Sequence, residues 1–389
     1  MLRLGILLGV FLCLGKGVNS FCVVTVAVPA SSAEILHKRI LDGQRALYNG
    51  RFLEARKRFT AIVKDYPDDP RGYFLLALTY RWLTRIDPDS VDYQDLFEDA
   101  AARSIDLCKS LIVTNKNHAD ATLYLAASYG YRADYYNFLK HRWKKAYDDG
   151  VKMREYLDKA RKFPGMSRDI NLGYALYNYY AYVYRDKIGW WRFFLSLPKG
   201  NKEKGIEMLE ELRLRGVYTR VEAWYFLIEV YKDDKATEEL AISLSEQLHR
   251  DYPGNPFFHT LLAGVYHKFH DWNNSRQAAM EIVAQAETLP FYSDYLVLQA
   301  RYLIGESSFF LGHYEDALSA FDRIIAMQPE QPRYLLPWSH LRRGTIYNLR
   351  KQPEKAEREF QNVLELKDVH GVHALARQLL QSLGQGQAL

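Results

Sequence analysis

The chain has 389 residues, of which 48% are hydrophobic, 25% charged and 14% aromatic. That apolar content is enough to offset the entropy of ordering the chain, which excludes a disordered protein, and 23 Gly with 13 Pro excludes a collagenous or low-complexity one. Lys and Arg number 52 against 47 Asp and Glu, a near balance without the concentrated basic face that nucleic acid requires.

Residues 1–33 contain no carboxylate, only two charges (Arg3 and Lys16) and two apolar runs, 4–14 and 21–28. This pattern reads as a signal peptide, because the first run falls short of the roughly 20 apolar residues that span a bilayer. Cleavage can follow Ser20, Ala30 or Ala33, and the later sites are preferred because Glu34 opens a helical pattern. The alternative is a retained N-terminal anchor built from residues 4–29, a span interrupted by Gly15, Lys16, Gly17, Asn19 and Ser20. Cys13 and Cys22 follow Leu12 and Phe21 rather than the small residue of a lipoprotein signal. The expected product is exported, and periplasmic or in the cell envelope if bacterial. Cleavage at Ala30 or Ala33 leaves Cys108 as the remaining cysteine, without an intramolecular disulfide. Its neighbours Ile105, Leu107, Leu111 and Ile112 mark it as a small buried hydrophobe.

From Glu34 onward the chain repeats itself. Gly43, Ala55, Phe59 and Pro67 recur as Gly305, Ala317, Phe321 and Pro329 with the same spacings of 12, 4 and 8. Gly344, Tyr347, Ala356 and Phe360 follow the same offsets, and Trp224, Leu227, Tyr231, Ala241 and Pro253 follow them with one residue of slack. These positions resemble the tetratricopeptide repeat, a 34-residue helix–turn–helix unit. The resemblance implies an all-α, right-handed α-solenoid of about eight helix pairs, each of which must stack on its neighbours to cover an apolar face. The match is closest at 36–69, 298–331 and 337–370, and looser at 221–254 and 256–288. Small residues at the Gly and Ala positions allow close helix approach, the Phe positions fill the space between pairs, and Pro67, Pro253 and Pro329 end second helices.

In chain order the expected organisation is a signal segment at 1–33, a first repeat at 34–69, irregular pairs with insertions at 70–216, repeats at 217–370, and a capping helix with tail at 371–389. Helices are expected over 72–83, 94–113, 119–136, 143–162, 171–184 and 202–215. The acidic stretch 87–99 lacks the glycine and the closing Glu of a calcium loop and reads as a solvated helix start. In the capping segment Leu375, Leu379 and Leu383 share one stripe. The stretches 172–180 and 198–205 resemble exported bacterial tetratricopeptide proteins of unassigned function, a likeness that supplies no activity.

The repeat family binds peptides or proteins along its concave surface. The family's groove register implies Phe74, Arg81 and Trp82, then Leu123, Gly130 and Tyr131, then Tyr174, Tyr177 and Asn178, then Tyr225, Glu229 and Lys232 as groove positions. Tyr and Trp suit such a groove because each offers apolar area with a polar handle. Ile40 and Gln44 stand where carboxylate-clamping repeats carry Lys and Asn, so chaperone-tail binding is not expected. The segment 188–198, with Trp190, Trp191, Phe193 and Phe194 beside Arg192, reads as an insert packed on the superhelix ahead of a partner or membrane contact. The basic run from Lys140 to Lys162 is interleaved with Asp148, Asp149, Glu155 and Asp158, as a solvated face would be. His267 with His270, and His370 with His373, each lack an obvious third ligand, so no metal and no cofactor are expected. No nucleophile elbow, zinc-protease helix or dinucleotide fingerprint is present.

The sequence therefore points to an exported, non-catalytic scaffold that holds a protein or peptide partner, not nucleic acid, in its concave groove. Two alternatives stand beside it: an envelope-attached assembly factor that touches lipid or an anionic polymer, and an enzyme with a pocket near the Tyr-rich helix at Tyr177, Asn178 and Arg185.

Overall fold

A computed structural model describes residues 31–183 and 200–384. The insert residues Trp190, Trp191, Phe193 and Phe194, Arg185, and the apolar runs of the N-terminal segment lie outside the described residues.

Among the described residues the chain forms seventeen α-helices and no strand. They are α1 (Ser32–Tyr48), α2 (Phe52–Asp65), α3 (Pro70–Ile86), α4 (Val91–Thr114), α5 (Ala119–Phe138), α6 (Trp143–Ala160), α7 (Asn171–Val183), α8 (Lys202–Arg215) and α9 (Arg220–Tyr231). The remainder are α10 (Glu238–Asp251), α11 (Pro256–Lys268), α12 (Trp272–Gln285), α13 (Asp294–Phe310), α14 (Tyr314–Met327), α15 (Leu335–Leu349), α16 (Pro353–Glu365) and α17 (Val372–Gly384). Consecutive helices pack in pairs and each pair packs on the next, which makes an all-α solenoid with α17 over its C-terminal end.

The repeated residues explain the pairing. A Cβ on Gly43 would stand 2.2 Å from the Phe59 ring, one on Gly305 2.6 Å from Phe321, and one on Gly344 2.6 Å from Phe360. Only a bare backbone lets each first helix lie that close to the aromatic ring of its partner helix. Helices α2, α10 and α14 end at Asp65, Asp251 and Met327, two residues before Pro67, Pro253 and Pro329. Helix starts are capped: Ser31 and Glu34 form a capping box on α1, Asp69 precedes Pro70 on α3, and Asn255 precedes Pro256 on α11. Because α1 begins at Ser32, cleavage after Ala30 would keep that capping box, whereas cleavage after Ala33 would remove Ser31 from it.

The central region loses the 34-residue period because its helices are long, with 24 residues in α4, 20 in α5 and 18 in α6. A ten-residue connection, 161–170, then leads into α7 through a short 3-10 turn at Arg168–Ile170. Asp169 is buried there, and its Oδ1 accepts from the backbone N–H groups of Val217, Tyr218 and Thr219 and from the Thr219 hydroxyl at 2.8–3.1 Å. This carboxylate ties the α6–α7 connection to the turn before α9. Cys108 is fully buried in α4, and burial pushes its thiol pKa up to about 12.

The solenoid is not a simple line of nearest neighbours. One hydrophobic cluster joins Leu36, Ile40, Leu47, Phe52 and Trp82 of the first pairs to Trp224, Tyr225, Leu227, Phe258 and Leu296 of much later ones. The turn after α1 meets the turn before α11: the Asn255 side-chain amide donates to the Tyr48 carbonyl at 3.0 Å. Gly50, at φ +75°, lies so close that a Cβ would stand 2.0 Å from the Gly254 carbonyl oxygen. At the next level the Ser293 hydroxyl, at the start of α13, donates to the carbonyl of Ile86, the last residue of α3. Helix α9 explains this closure, since Val221 through Ile228 are all buried and a helix apolar all round must be covered on every side.

Candidate functional site: the inner face

The inner face divides into a closed N-terminal chamber and an open C-terminal stretch. In the chamber, positions that would line a groove meet one another. His37 bonds the Tyr218 hydroxyl, and Gln44 Nε2 donates to the Tyr218 carbonyl at 3.0 Å. Trp82 makes edge-to-face contacts with Tyr48, Tyr225, Phe257 and Phe258 at centroid distances of 5.4–6.1 Å. Arg85 lays its guanidinium over Trp82, Tyr225 and Phe257 at 5.2, 4.8 and 5.9 Å. Arg81 and Arg85 both bond Asp134, at 2.7 and 3.1 Å. Burial alone would raise the Asp134 carboxyl, but these two cations hold it below the usual carboxylate range.

Glu222 lies in the same chamber at 2% exposure. Tyr48, Trp82 and Tyr131 surround its carboxyl and favour its charged form, though among the described residues neither oxygen has a well-aligned hydrogen bond. Burial outweighs them and pushes its pKa up to about 7.

The positions implied by the repeat register are placed as follows. Arg81, Trp82 and Tyr225 are buried at 3–7% exposure within the chamber, covered because α1 and α3 fold onto α9 and α11. Phe74 and Tyr131 are half-buried and touch at 5.6 Å. Tyr174 is 3% exposed; its hydroxyl donates to Asp158 at 2.8 Å, and Arg154 and Arg161 cover its ring. Tyr177 is half-buried with Arg154 4.6 Å from its ring centroid, and Asn178 donates back to the Tyr174 carbonyl at 2.9 Å. Leu123 packs in the α5–α6–α7 cluster, and Glu229 pairs with Lys232 at 2.7 Å. The chamber positions thus hold the superhelix shut, and they face other side chains of this chain.

Past Ser293 the inner helices have no hydrogen bond, ion pair or ring contact to the first pairs among the described residues. His267 on α11, Glu306 on α13 and Arg342 on α15 form a continuous ladder across three repeats: His267 Nε2 lies 2.8 Å from Glu306 Oε2, and Arg342 Nε donates to Glu306 Oε1 at 2.6 Å. Burial would raise the Glu306 carboxyl, but His267 and Arg342 hold it below the usual range. Arg342 also lies over Phe309, Phe310 and Trp338 at 5.1–5.6 Å. Trp272 stacks on Phe310 at 4.3 Å, and His270 stacks on Trp272 at 4.9 Å. Phe310 remains 46% exposed, and Leu349, its equivalent one repeat later, 43%. Those exposed apolar groups stand on a fixed cationic and aromatic frame.

The family's groove register, whose second, fifth, ninth, twelfth and thirteenth positions line the concave surface, extends to these C-terminal residues. With Gly305 as the eighth position, Glu306, Phe309 and Phe310 are the ninth, twelfth and thirteenth. Glu222 occupies the second position of its own repeat, also a groove position of the register. The paired histidines have other duties, since His267 and His270 serve the ladder and the aromatic stack, and His373 bonds the Leu366 carbonyl.

Comparison with known proteins accords with this architecture. The family signature described as Tetratricopeptide repeat matches residues 41–83. That segment runs from α1 to α3 and carries the repeat signature, and the helix-pair solenoid of the described residues has the tetratricopeptide-repeat fold. Among solved structures it is similar to a chain of the APC/C hetero-tetramer Cut9-Hcn1, at TM-score 0.53 and 12% identity over 86% of this chain. It spans about half of that longer chain, 53%. It is also similar to yeast Tom70, at TM-score 0.41 and 10% identity over 91% of this chain and 89% of that one. A Rap protein complexed with Competence and Sporulation Factor gives TM-score 0.46 and 14% identity over 91% of this chain and 98% of that one. No curated protein matches the chain in sequence.

Proposed function

We propose that this protein of tetratricopeptide-repeat fold is an exported, non-catalytic scaffold that holds a protein or peptide on its inner face. The observation that carries the reading is the open stretch of α13 and α15 with the C-terminal end of α11, where Phe310 stays 46% exposed inside a frame fixed by Glu306 and Arg342. A partner there gains aromatic contact area without ordering the site first, because the frame is already locked by buried charge-assisted bonds. The Cut9-Hcn1 assembly, in which a chain of similar fold is found in a complex of proteins, supports the reading at the level of fold. Export rests on the N-terminal segment, and cleavage after Ala30 would keep the Ser31–Glu34 capping box.

The test is affinity capture from the native host with wild type and a Phe310→Ser/Leu349→Ser variant, after circular dichroism has shown that both are folded. One protein recovered with wild type and lost with the variant supports the assignment. The same proteins recovered with both would remove the C-terminal inner face from consideration.

A further inference from the structure

The turn between α5 and α6 carries a surface that the scaffold reading does not use. Phe138 is 47% exposed and Trp143 62% exposed, five residues apart. Between and beside them lie Lys140, His141, Arg142, Lys144 and Lys145, and residues 135–147 contain no carboxylate. Arg142, Lys144 and Lys145 are exposed and make no ion pair among the described residues. The nearest following acids are Asp148 and Asp149, and Asp149 is already bound by Arg132 at 2.6 and 2.7 Å. The apolar edge continues onto α7, where Tyr180 lies 6.3 Å from Phe138 and Tyr182 and Val183 are exposed.

The start of α6 also breaks the pattern of its equivalents. The other second helices α2, α4, α8, α10, α14 and α16 each carry an acidic residue in the first turn, and α12 is capped by Asp271. Helix α6 has neither an acid in its first turn nor a side-chain cap, and it opens on Trp143, Lys144 and Lys145. Cations at a helix N-terminus oppose the macrodipole and disfavour the isolated helix; Lys145 is held over the Tyr136 ring at 5.1 Å, while Arg142 and Lys144 make no ion pair or ring contact among the described residues. An anionic surface complements this carboxylate-free cluster of cations.

We propose that the α5–α6 turn docks the protein on an anionic lipid bilayer, with Trp143 and Phe138 entering the interface and Arg142, Lys144 and Lys145 meeting lipid phosphates. Amphipathic rings flanked by cations match that boundary, in which an apolar layer lies directly beneath a charged one.

The full chain is sedimented with vesicles of phosphatidylcholine alone, or mixed with phosphatidylglycerol, across a salt series. Wild type should bind the anionic vesicles and release as salt rises. Arg142→Gln/Lys144→Gln/Lys145→Gln should weaken that binding roughly a hundredfold, at about fivefold per cation, and Trp143→Ser should weaken it while leaving the salt dependence in place. Relieving the dipole conflict should leave the melting temperature of the triple variant equal or higher, which separates docking from a structural role. Equal binding by wild type and the triple variant would place membrane contact elsewhere, as in the N-terminal segment, and overturn the proposal. Failure of wild type to bind anionic vesicles, or its binding to a soluble polyanion alone, would overturn it as well.

Discussion

The side-chain amide of Asn255 donates to the backbone carbonyl of Tyr48 at 3.0 Å, joining the end of α1 to the start of α11 across 207 residues of chain. The same side chain accepts from the Phe257 and Phe258 N–H groups, so one residue both caps α11 and holds the chamber shut.

Replacing Asn255 with Ala should therefore destabilise the fold by about 2–4 kcal/mol, from a lost cap and an orphaned buried carbonyl together. Gly50→Ala should act at the same contact, because a Cβ there meets the Gly254 carbonyl at 2.0 Å and the residue needs φ +75°. Urea denaturation should show both midpoints lowered; an unchanged midpoint for Gly50→Ala would mean that the two turns do not touch.

Glu222 gives the chamber a pH dependence of definite sign. Its pKa is about 7 in the fold against an ordinary value of 4.5. Below pH 4.5 the carboxyl is protonated in both states and contributes nothing. Between 4.5 and 7 the unfolded chain ionises first, so stability falls as pH rises, and the full loss of about 3 kcal/mol is reached above 7. Glu222→Gln should be more stable than wild type at pH 8, with the gap closing toward pH 4.5. A gap that stays constant with pH would show that Glu222 is solvated.

The stacked pair His249 and His259, with ring centroids 4.4 Å apart, has the opposite slope. Burial, with His249 adding to it, pushes the His259 pKa down to about 4, and burial lowers His249 as well. Here the unfolded chain gains protons first as pH falls through 6.5, so stability is lost on acidification and the loss is complete below 4. A His259→Gln variant should flatten the acid limb of the stability profile while leaving the limb above pH 7 unchanged. Hydrogen-exchange protection of α10 and α11, measured across the same range, locates the effect.

The repeat itself was legible because its residues act locally. Gly43 with Phe59, Gly305 with Phe321, and Gly344 with Phe360 each set one helix against its partner, and fixed spacing along the chain is enough to reveal them. The long central helices blurred the period but kept their boundaries, as at α8, expected and found over Lys202–Arg215. The closure was not legible. It depends on Tyr48, Trp82, Tyr225 and Asn255 meeting across more than a hundred residues, and nothing in local spacing marks such a contact. Periodicity alone cannot tell a groove tyrosine from a packed one; in Tyr225 the deciding fact is the Arg85 guanidinium 4.8 Å from its ring. The clue lay in α9, whose apolar residues run round the whole helix.

The Gly–Phe contacts make a further quantitative prediction. Gly305→Ala should cost about 1–3 kcal/mol through overpacking against Phe321, whose ring lies 2.6 Å from the new Cβ. Combining it with Phe321→Leu should cost less than the sum of the single changes, because the smaller side chain yields the space. Additive values in a double-mutant cycle would contradict direct contact.

Site-specific photocrosslinking in the native host tests the central claim most directly, with the probe at Phe310 on the open inner face or at Leu53, which is 57% exposed on α2. The account predicts that the probe at 310 captures one protein and the probe at 53 does not. The same products from both positions, or none from position 310, would contradict it.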